Sequence, residues 1–160
     1  MSVRLAEARD AGPIGELTER VYRNGGWAGE GYAPVLRDGQ SRIDDAVVFV
    51  ALLERVIVGT VTLALPGTRF AETARADEAE IRMLAVDEGA RGREIGDSLL
   101  AACESHSRAA GLSAVVLSTE PDMHAAHRLY ERRGYVREYA RDWQVDGFSL
   151  LVYRRPLDAG

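Results

Sequence analysis

Two apolar, β-rich runs separated by only two residues constrain this chain more than any other feature. Ala46–Leu53 reads AVVFVALL and Val56–Leu65 reads VIVGTVTLAL, with Glu54-Arg55 between them. Strands this close in sequence pair as an antiparallel hairpin, because a parallel return needs a crossover of about a dozen residues. The chain is therefore committed to a sheet with antiparallel pairing, and the other segments must cover its faces.

Val3 and Leu5 alternate with their neighbours and predict a short first strand. Ala11–Tyr22 reads as a helix, with Asp10 as N-cap, Pro13 in the first turn and Ile14, Leu17 and Val21 on one face. Arg23–Gly31 carries four glycines and predicts a loop, leading to a short helix at Ala33–Arg37. Pro66–Asp77 is polar and predicts a surface loop. Glu80–Val86 is a strand, Glu88–Gly92 a turn, and a helix runs to about Ala110 with Ile95, Leu99, Leu100 and Cys103 on one stripe. Gly111 suits its C-terminal cap. Ser113–Ser118 predicts a strand. Asp122 is placed to cap a helix over Met123–Arg133, closed by Gly134. Tyr135–Trp143 and Phe148–Tyr153 predict two last strands around a turn at Asp146-Gly147.

The expected fold is one α/β (α+β) domain over residues 1–160. Its mixed, mostly antiparallel sheet has about seven strands and about four flanking helices. The last strand is expected at a sheet edge, where a second copy could pair with it, so the chain is expected to be a monomer or homodimer.

Composition narrows the function. Of 160 residues, 46% are apolar and 28% charged, as in ordinary globular domains, and the net charge of −5 argues against a nucleic-acid partner. All basic residues are arginine, a cation suited to phosphate. Cys103 is the only cysteine, which excludes an internal disulfide or a Cys-rich metal site. Met1–Asp10 carries charges and no long apolar run, and no segment approaches the ~20 apolar residues of a membrane span. A cytoplasmic protein with no membrane partner and no metal is the expectation.

Chemistry concentrates in Ala79–Leu100, AEIRMLAVDEGARGREIGDSLL. A strand ends, an Arg/Gly-rich turn follows and a helix begins. The helix N-terminus leaves backbone N–H groups unpaired and its dipole favours anions, while small residues let a phosphate approach. This is a phosphate or pyrophosphate site in outline. It is neither a Walker loop nor a dinucleotide fingerprint.

Leu84-Ala85-Val86 followed by Arg91-Gly92-Arg93-Glu94-Ile95-Gly96 resembles the GNAT N-acetyltransferase superfamily, whose strand-turn-helix motif binds the pyrophosphate of CoA. Glu94 stands where that motif has its first glycine. A second stretch, Leu117–Tyr135, supplies Ala126, Leu129, Tyr130, Gly134 and Tyr135 at family positions, with Met123 where asparagine is common. The resemblance covers about Glu80–Tyr135.

It implies an enzyme that moves an acetyl group from acetyl-CoA to a primary amine, without a metal. Met83–Val86, meaning Met83, Leu84, Ala85 and Val86, would pair with the pantetheine arm where two strands splay. The turn from Arg91 to Asp97, with Met123, would complete the cofactor site. Tyr130 is implied as general acid at the departing sulfur, and Glu80 as a general base acting through water. Tyr22, Trp27, Glu30 and Tyr32, from the first helices and their loop, and Glu120, at the end of the fifth strand, are the acceptor-site candidates. His124 and His127 are weaker ones. A small-molecule amine is favoured, with a protein N-terminus or lysine as the alternative. A CoA-binding sensor or scaffold without catalysis is the reading of another class, and Glu94 and Met123 are its support.

Overall fold

The computed structural model describes residues 1–27 and 29–158. Ala28, within the expected loop at 23–31, and Ala159 and Gly160, at the end of the expected domain, lie outside the described residues.

The chain runs β1 (Ser2–Leu5), α1 (Ala11–Asn24), α2 (Ala33–Arg37), α3 (Gly39–Asp45), β2 (Val47–Leu53) and β3 (Val56–Ala64). Then come β4 (Glu78–Val86), α4 (Ile95–Ala109), β5 (Ala114–Thr119), α5 (His124–Arg132), β6 (Val136–Arg137), β7 (Trp143–Val145) and β8 (Phe148–Pro156). The strands form one mixed sheet in the order β1-β2-β3-β4-β5-β8-β6, with β7 also pairing with β8. Among the described residues only β4 and β5 pair in parallel. The expected mostly antiparallel sheet is present, with eight strands and five α-helices among the described residues.

The β2–β3 hairpin closes as its sequence requires. Glu54 and Arg55 both take positive φ, 48° and 69°, the geometry whose twist suits a two-residue hairpin. Asp146 and Gly147 repeat it between β7 and β8 at 47° and 80°. Period-two alternation in β2 then builds two layers. Val48 and Val50 pack with Ile14 of α1, whereas Phe49 and Ala51 join Ile95, Leu99 and Cys103 of α4. Helices α1 and α4 therefore cover opposite faces. Leu99 is fully buried, and burial of such a side chain contributes about 1.5–3 kcal/mol. Gly59 of β3 permits this closeness: a Cβ there would lie 2.8 Å from Ile95 and 3.1 Å from Leu99.

Four expectations are corrected. Asp10 stands at the N-cap position of α1 as expected but makes no cap bond with its side chain; its carboxylate turns back to the Glu7 N–H and to Arg4, both at 2.7 Å, because a charge-assisted pair outcompetes a capping bond. Asp122 does not cap α5, whose N-cap is Met123 without a side-chain bond. Tyr135–Trp143 is not one strand: a 3-10 turn at Tyr139–Arg141 breaks it, and Arg137 pairs across that turn with Asp142 at 2.7 Å. The final strand is not an edge, because β8 is flanked by β5 on one side and by β6 and β7 on the other. In addition, α3 occupies a segment for which the sequence offered no element; GQSRIDD has too few apolar residues to show a period, and Asp38 caps it by accepting from the Ser41 N–H.

Two buried glutamates clamp the ends of the sheet. Glu78, at the start of β4, accepts from Arg141 at 2.9 Å and from Arg154 of β8 at 2.8 Å. Glu104 of α4 takes Arg133 at 2.5 Å, the Tyr135 hydroxyl at 3.0 Å and Arg155 of β8. Burial alone would raise the Glu78 carboxyl, but hydrogen bonds from Arg141, the Arg75 N–H and Arg154 override it and hold it at about 2, against an ordinary 4.5. A depressed carboxylate stabilises the fold fully above its unfolded value, and that stability is lost as pH falls toward 2.

Glu78→Gln is therefore expected to cost about 3 kcal/mol at pH 7, a fall in Tm of roughly 6–12 °C. Thermal melts of both proteins from pH 7 downwards should show the gap closing below pH 4.5. A gap independent of pH would remove the ionised Glu78 from the account.

Candidate active site

The site begins where β4 loses a neighbour. β4 and β5 pair in register from Glu78↔Ala114 to Ile81↔Leu117 and then part. Past that point β5 keeps only β8, through Ser118 and Thr119, and β4 keeps only β3. The backbone of residues 82–86 on the β5 side consequently has no strand beside it. A bulge adds to the divergence: Thr62 faces Arg82 and Thr60 faces Ala85, so Met83 and Leu84 oppose the single residue Val61. Met83 is buried and takes φ 53°, a left-handed conformation that is strained for a bulky residue.

The gap opens into a cavity of about 530 Å³. Of the residues implied by the sequence, Tyr130, Glu80, Met83, Leu84 and Met123 line it. So do the acceptor candidates Tyr22, Trp27, Tyr32 and Glu120. Glu30 does not: it stays exposed, carried outward by the turn before α2. Ala85 and Val86 lie on the open edge of β4 but outside the cavity, and Ala85 is buried against Leu17 and Val21 of α1.

Tyr130 is buried in the cavity wall, its ring 6.0 Å from those of Tyr135 and Tyr153. Burial pushes its phenol well above the ordinary tyrosine value, so it stays protonated. Glu80 is also buried, but its Oε1 accepts three backbone N–H bonds, from Glu72, Thr73 and Ala74 at 2.8, 2.7 and 2.9 Å. That oxygen holds the 72–74 segment in place as one cavity wall. Glu120, where β5 ends, has its carboxyl raised by burial and, secondarily, by the nearby Asp122 charge. The His127 ring meets the Glu120 carbonyl at 2.9 Å and stacks 5.7 Å from Tyr153, which explains His127 as a helix-to-strand tie.

The turn before α4, expected as the anion site, places its residues as follows. Arg91, Gly92, Arg93 and Glu94 are exposed, and α4 begins at Ile95 with no side chain capping it. Glu94 takes φ 58°, the conformation the glycine of the resembled motif would adopt without cost. Ile95 is a core residue, 2% exposed, so it offers a ligand only its backbone. Gly96 serves packing as well: a Cβ there would stand 2.8 Å from Leu129, so this glycine lets α5 close on α4. The Asp97 carboxylate turns to Arg132 at 3.3 Å and Arg133 at 3.6 Å of the α5 end, away from the role the motif implies for it.

The sequence reading missed the opposite wall. Trp143, Val145, Phe148 and Leu150 of the β7–β8 hairpin line the cavity, and the register Trp143↔Leu150 and Val145↔Phe148 puts all four on one face. Trp143 donates from its indole to Ser118 of β5 at 2.9 Å, fastening the hairpin to the site. Apolar alternation on both sides of Asp146-Gly147 was the available signal. Glu72 and Arg82 were also missed; they line the cavity and pair at 2.7 Å.

Comparison with known proteins agrees with this geometry. Residues 14–135 match the family model described as the acetyltransferase (GNAT) family. Mycothiol acetyltransferase of Streptosporangium roseum is 38% identical over 76 residues, 48% of this chain and 20% of that protein. Aminoalkylphosphonate N-acetyltransferase of Salmonella typhimurium is 42% identical over 62 residues, 39% of this chain and 40% of that protein. The matches thus span less than half the length of either relative. The PaiA N-acetyltransferase of Thermoplasma acidophilum, solved in complex with coenzyme A, shares the fold with TM-score 0.74 over 98% of this chain and 99% of that one, at 16% identity. With the family model covering most of the chain and the splayed strands, the strand-turn-helix and the buried tyrosine in place, this chain belongs to the GNAT acetyltransferase family.

Proposed function

We propose that this protein transfers the acetyl group of acetyl-CoA to the primary amine of a small molecule. The observation that carries this reading is the unpaired edge of β4 past Ile81, opening on a cavity with Tyr130 in its wall. The residues fit the donor: bare backbone in the gap suits an extended amide-bearing arm, and the free N–H groups of α4 suit a pyrophosphate. Arg91 and Arg93 flank that helix end and add positive charge.

The donor supplies a thioester: as the amine nitrogen bonds to the acetyl carbon, the C–S bond breaks, the amine loses one proton and the sulfur gains one. Tyr130, kept protonated by burial, gives the proton to the sulfur. Glu120 takes the proton from the amine, directly or through one water. Its raised carboxyl is closer to a working base than an ordinary glutamate. Glu80 positions the 72–74 wall, since its Oε1 is committed to three donors, and only Oε2 is left to it for a water-mediated share in that proton transfer.

A reading without catalysis, as a CoA-binding module, draws on Glu94 and Met123, the two departures from the resembled motifs. Calorimetric titration with acetyl-CoA followed by thiol release against an amine panel separates the two. Binding with release supports the enzyme, binding without release supports the module, and absence of binding contradicts both.

Tyr130→Phe is expected to lower kcat by about 10²-fold and leave CoA affinity unchanged, because the phenol acts only in the transition state. Equal turnover would remove it from the mechanism. Glu120→Gln is expected to lower kcat by about 10²-fold. In the wild type kcat should fall as pH drops through the raised Glu120 value, since the base must be ionised, and the variant should lose that acidic limb. An unchanged limb assigns it to another group. Glu94→Gly should raise Tm by roughly 2–4 °C, through relief of about 1 kcal/mol of left-handed strain. It should also tighten CoA binding about fivefold by removing a carboxylate from an anion site. Weaker binding would place the phosphates elsewhere.

A further inference from the structure

The same cavity, read for charge and shape, narrows the acceptor. Four carboxylates line it: Glu72, Glu80, Glu120 and Asp146. Among the described residues only one cation lines it, Arg82, and that cation is spoken for. Its Nη2 meets Glu72 at 2.7 Å and the Tyr32 hydroxyl at 3.2 Å, and its Nη1 donates to the Phe70 carbonyl at 3.2 Å. An anionic group entering the site would face an excess of negative charge and no free guanidinium. An ammonium group would be drawn in. It would then lose one proton to solvent water, leaving a neutral amine whose second proton Glu120 takes as the amide forms.

Much of the remaining lining is aromatic or branched apolar. Trp143, Phe148 and Leu150 face the cavity from the hairpin, and Tyr22, Trp27 and Tyr32 from the α1–α2 side. Phe148 is 54% exposed and Val145 40%, so the hairpin presents apolar surface to solvent at the cavity. Aromatic faces beside carboxylates suit a cation with an apolar body.

Resting on the acetyl-transfer reading above, we propose that the acceptor is a cationic amine with an aromatic or similarly bulky apolar body and no anionic group. Glu72 acts as a specificity residue by neutralising Arg82. The proposal separates this chain from its relative named for aminoalkylphosphonates, whose acceptors carry an anion.

The test uses matched amines. Phenethylamine and phenylalanine share a body and differ by a carboxylate; propylamine lacks the ring; 2-aminoethylphosphonate carries the anion. With the full-length protein and acetyl-CoA, kcat/KM for phenethylamine is expected to exceed that for phenylalanine by about 100-fold or more. It should exceed that for propylamine by about tenfold or more. Glu72→Gln should shrink the first ratio by raising turnover of phenylalanine, through the released Arg82. Phe148→Ala, at a half-exposed position of the cavity wall, should raise KM for phenethylamine by a larger factor than KM for propylamine. Calorimetry with CoA alone is run alongside. If CoA binds and phenylalanine or the phosphonate is the better acceptor, or no arylalkylamine is acetylated, the proposal is overturned and the donor site stands. If CoA does not bind, the acetyl-transfer reading falls and takes this proposal with it.

Discussion

A strand in the middle of a sheet must satisfy two rows of backbone groups, and β4 satisfies only one beyond Ile81. Unpaired peptide groups away from water are costly, so such an edge persists only if the rest of the molecule holds it open. Everything that makes this site depends on that constraint. The parallel register to β5 ends at Leu117, the Met83 bulge turns the strand, and β5 follows β8 instead. An extended ligand with its own amides is the natural third strand.

The ion pairs explain how the opening is held. Glu78 ties the paired end of β4 to β8 and to the Tyr139–Arg141 turn, and Arg141 also donates to the Thr73 carbonyl at 2.8 Å. Glu80, two residues on, gathers the N–H groups of the same loop. Glu104 fastens α4 to β8 through Arg155, and to Arg133 and Tyr135 just beyond α5. The strands are thus locked on the closed side of the fork and free on the open side. Buried charge is spent on rigidity there, where loss of one partner would leave the other uncompensated. Outside the two hairpin turns, the non-glycine residues at positive φ among the described residues are Met83 and Glu94, on either side of the expected path of the donor.

Much of the scaffold was legible in the sequence because its signals are local. The two-residue gap at Glu54-Arg55, the stripe of Ile95, Leu99 and Cys103, and the helix-ending Gly111 and Gly134 each specify their own element, and both glycines take positive φ. Tyr130 and the Arg91–Gly96 turn were found by motif. The acceptor side was less legible because it depends on distant pairings. Trp143 and Phe148 reach the cavity only through the register of β7 on β8, and Glu72 only because Glu80 and Arg82 hold its loop. Glu30 shows the converse: its chemistry suited an amine, but no long-range contact brings it inward. Capping differed in detail: Asp10 holds the N-cap position of α1 but spends its carboxylate on Arg4 and the Glu7 N–H, and α5 takes Met123 as its N-cap in place of Asp122.

Residue-resolved amide exchange along β4, with and without CoA, tests the central claim most directly. The amides among residues 82–86 that point toward β5 should exchange readily in the free protein and slow when CoA is added. Those paired with β3 should change little. Selective slowing along that edge is the result this account predicts. Unchanged exchange there, with CoA bound to the protein, would contradict it, because the ligand would then lie somewhere other than the gap between β4 and β5.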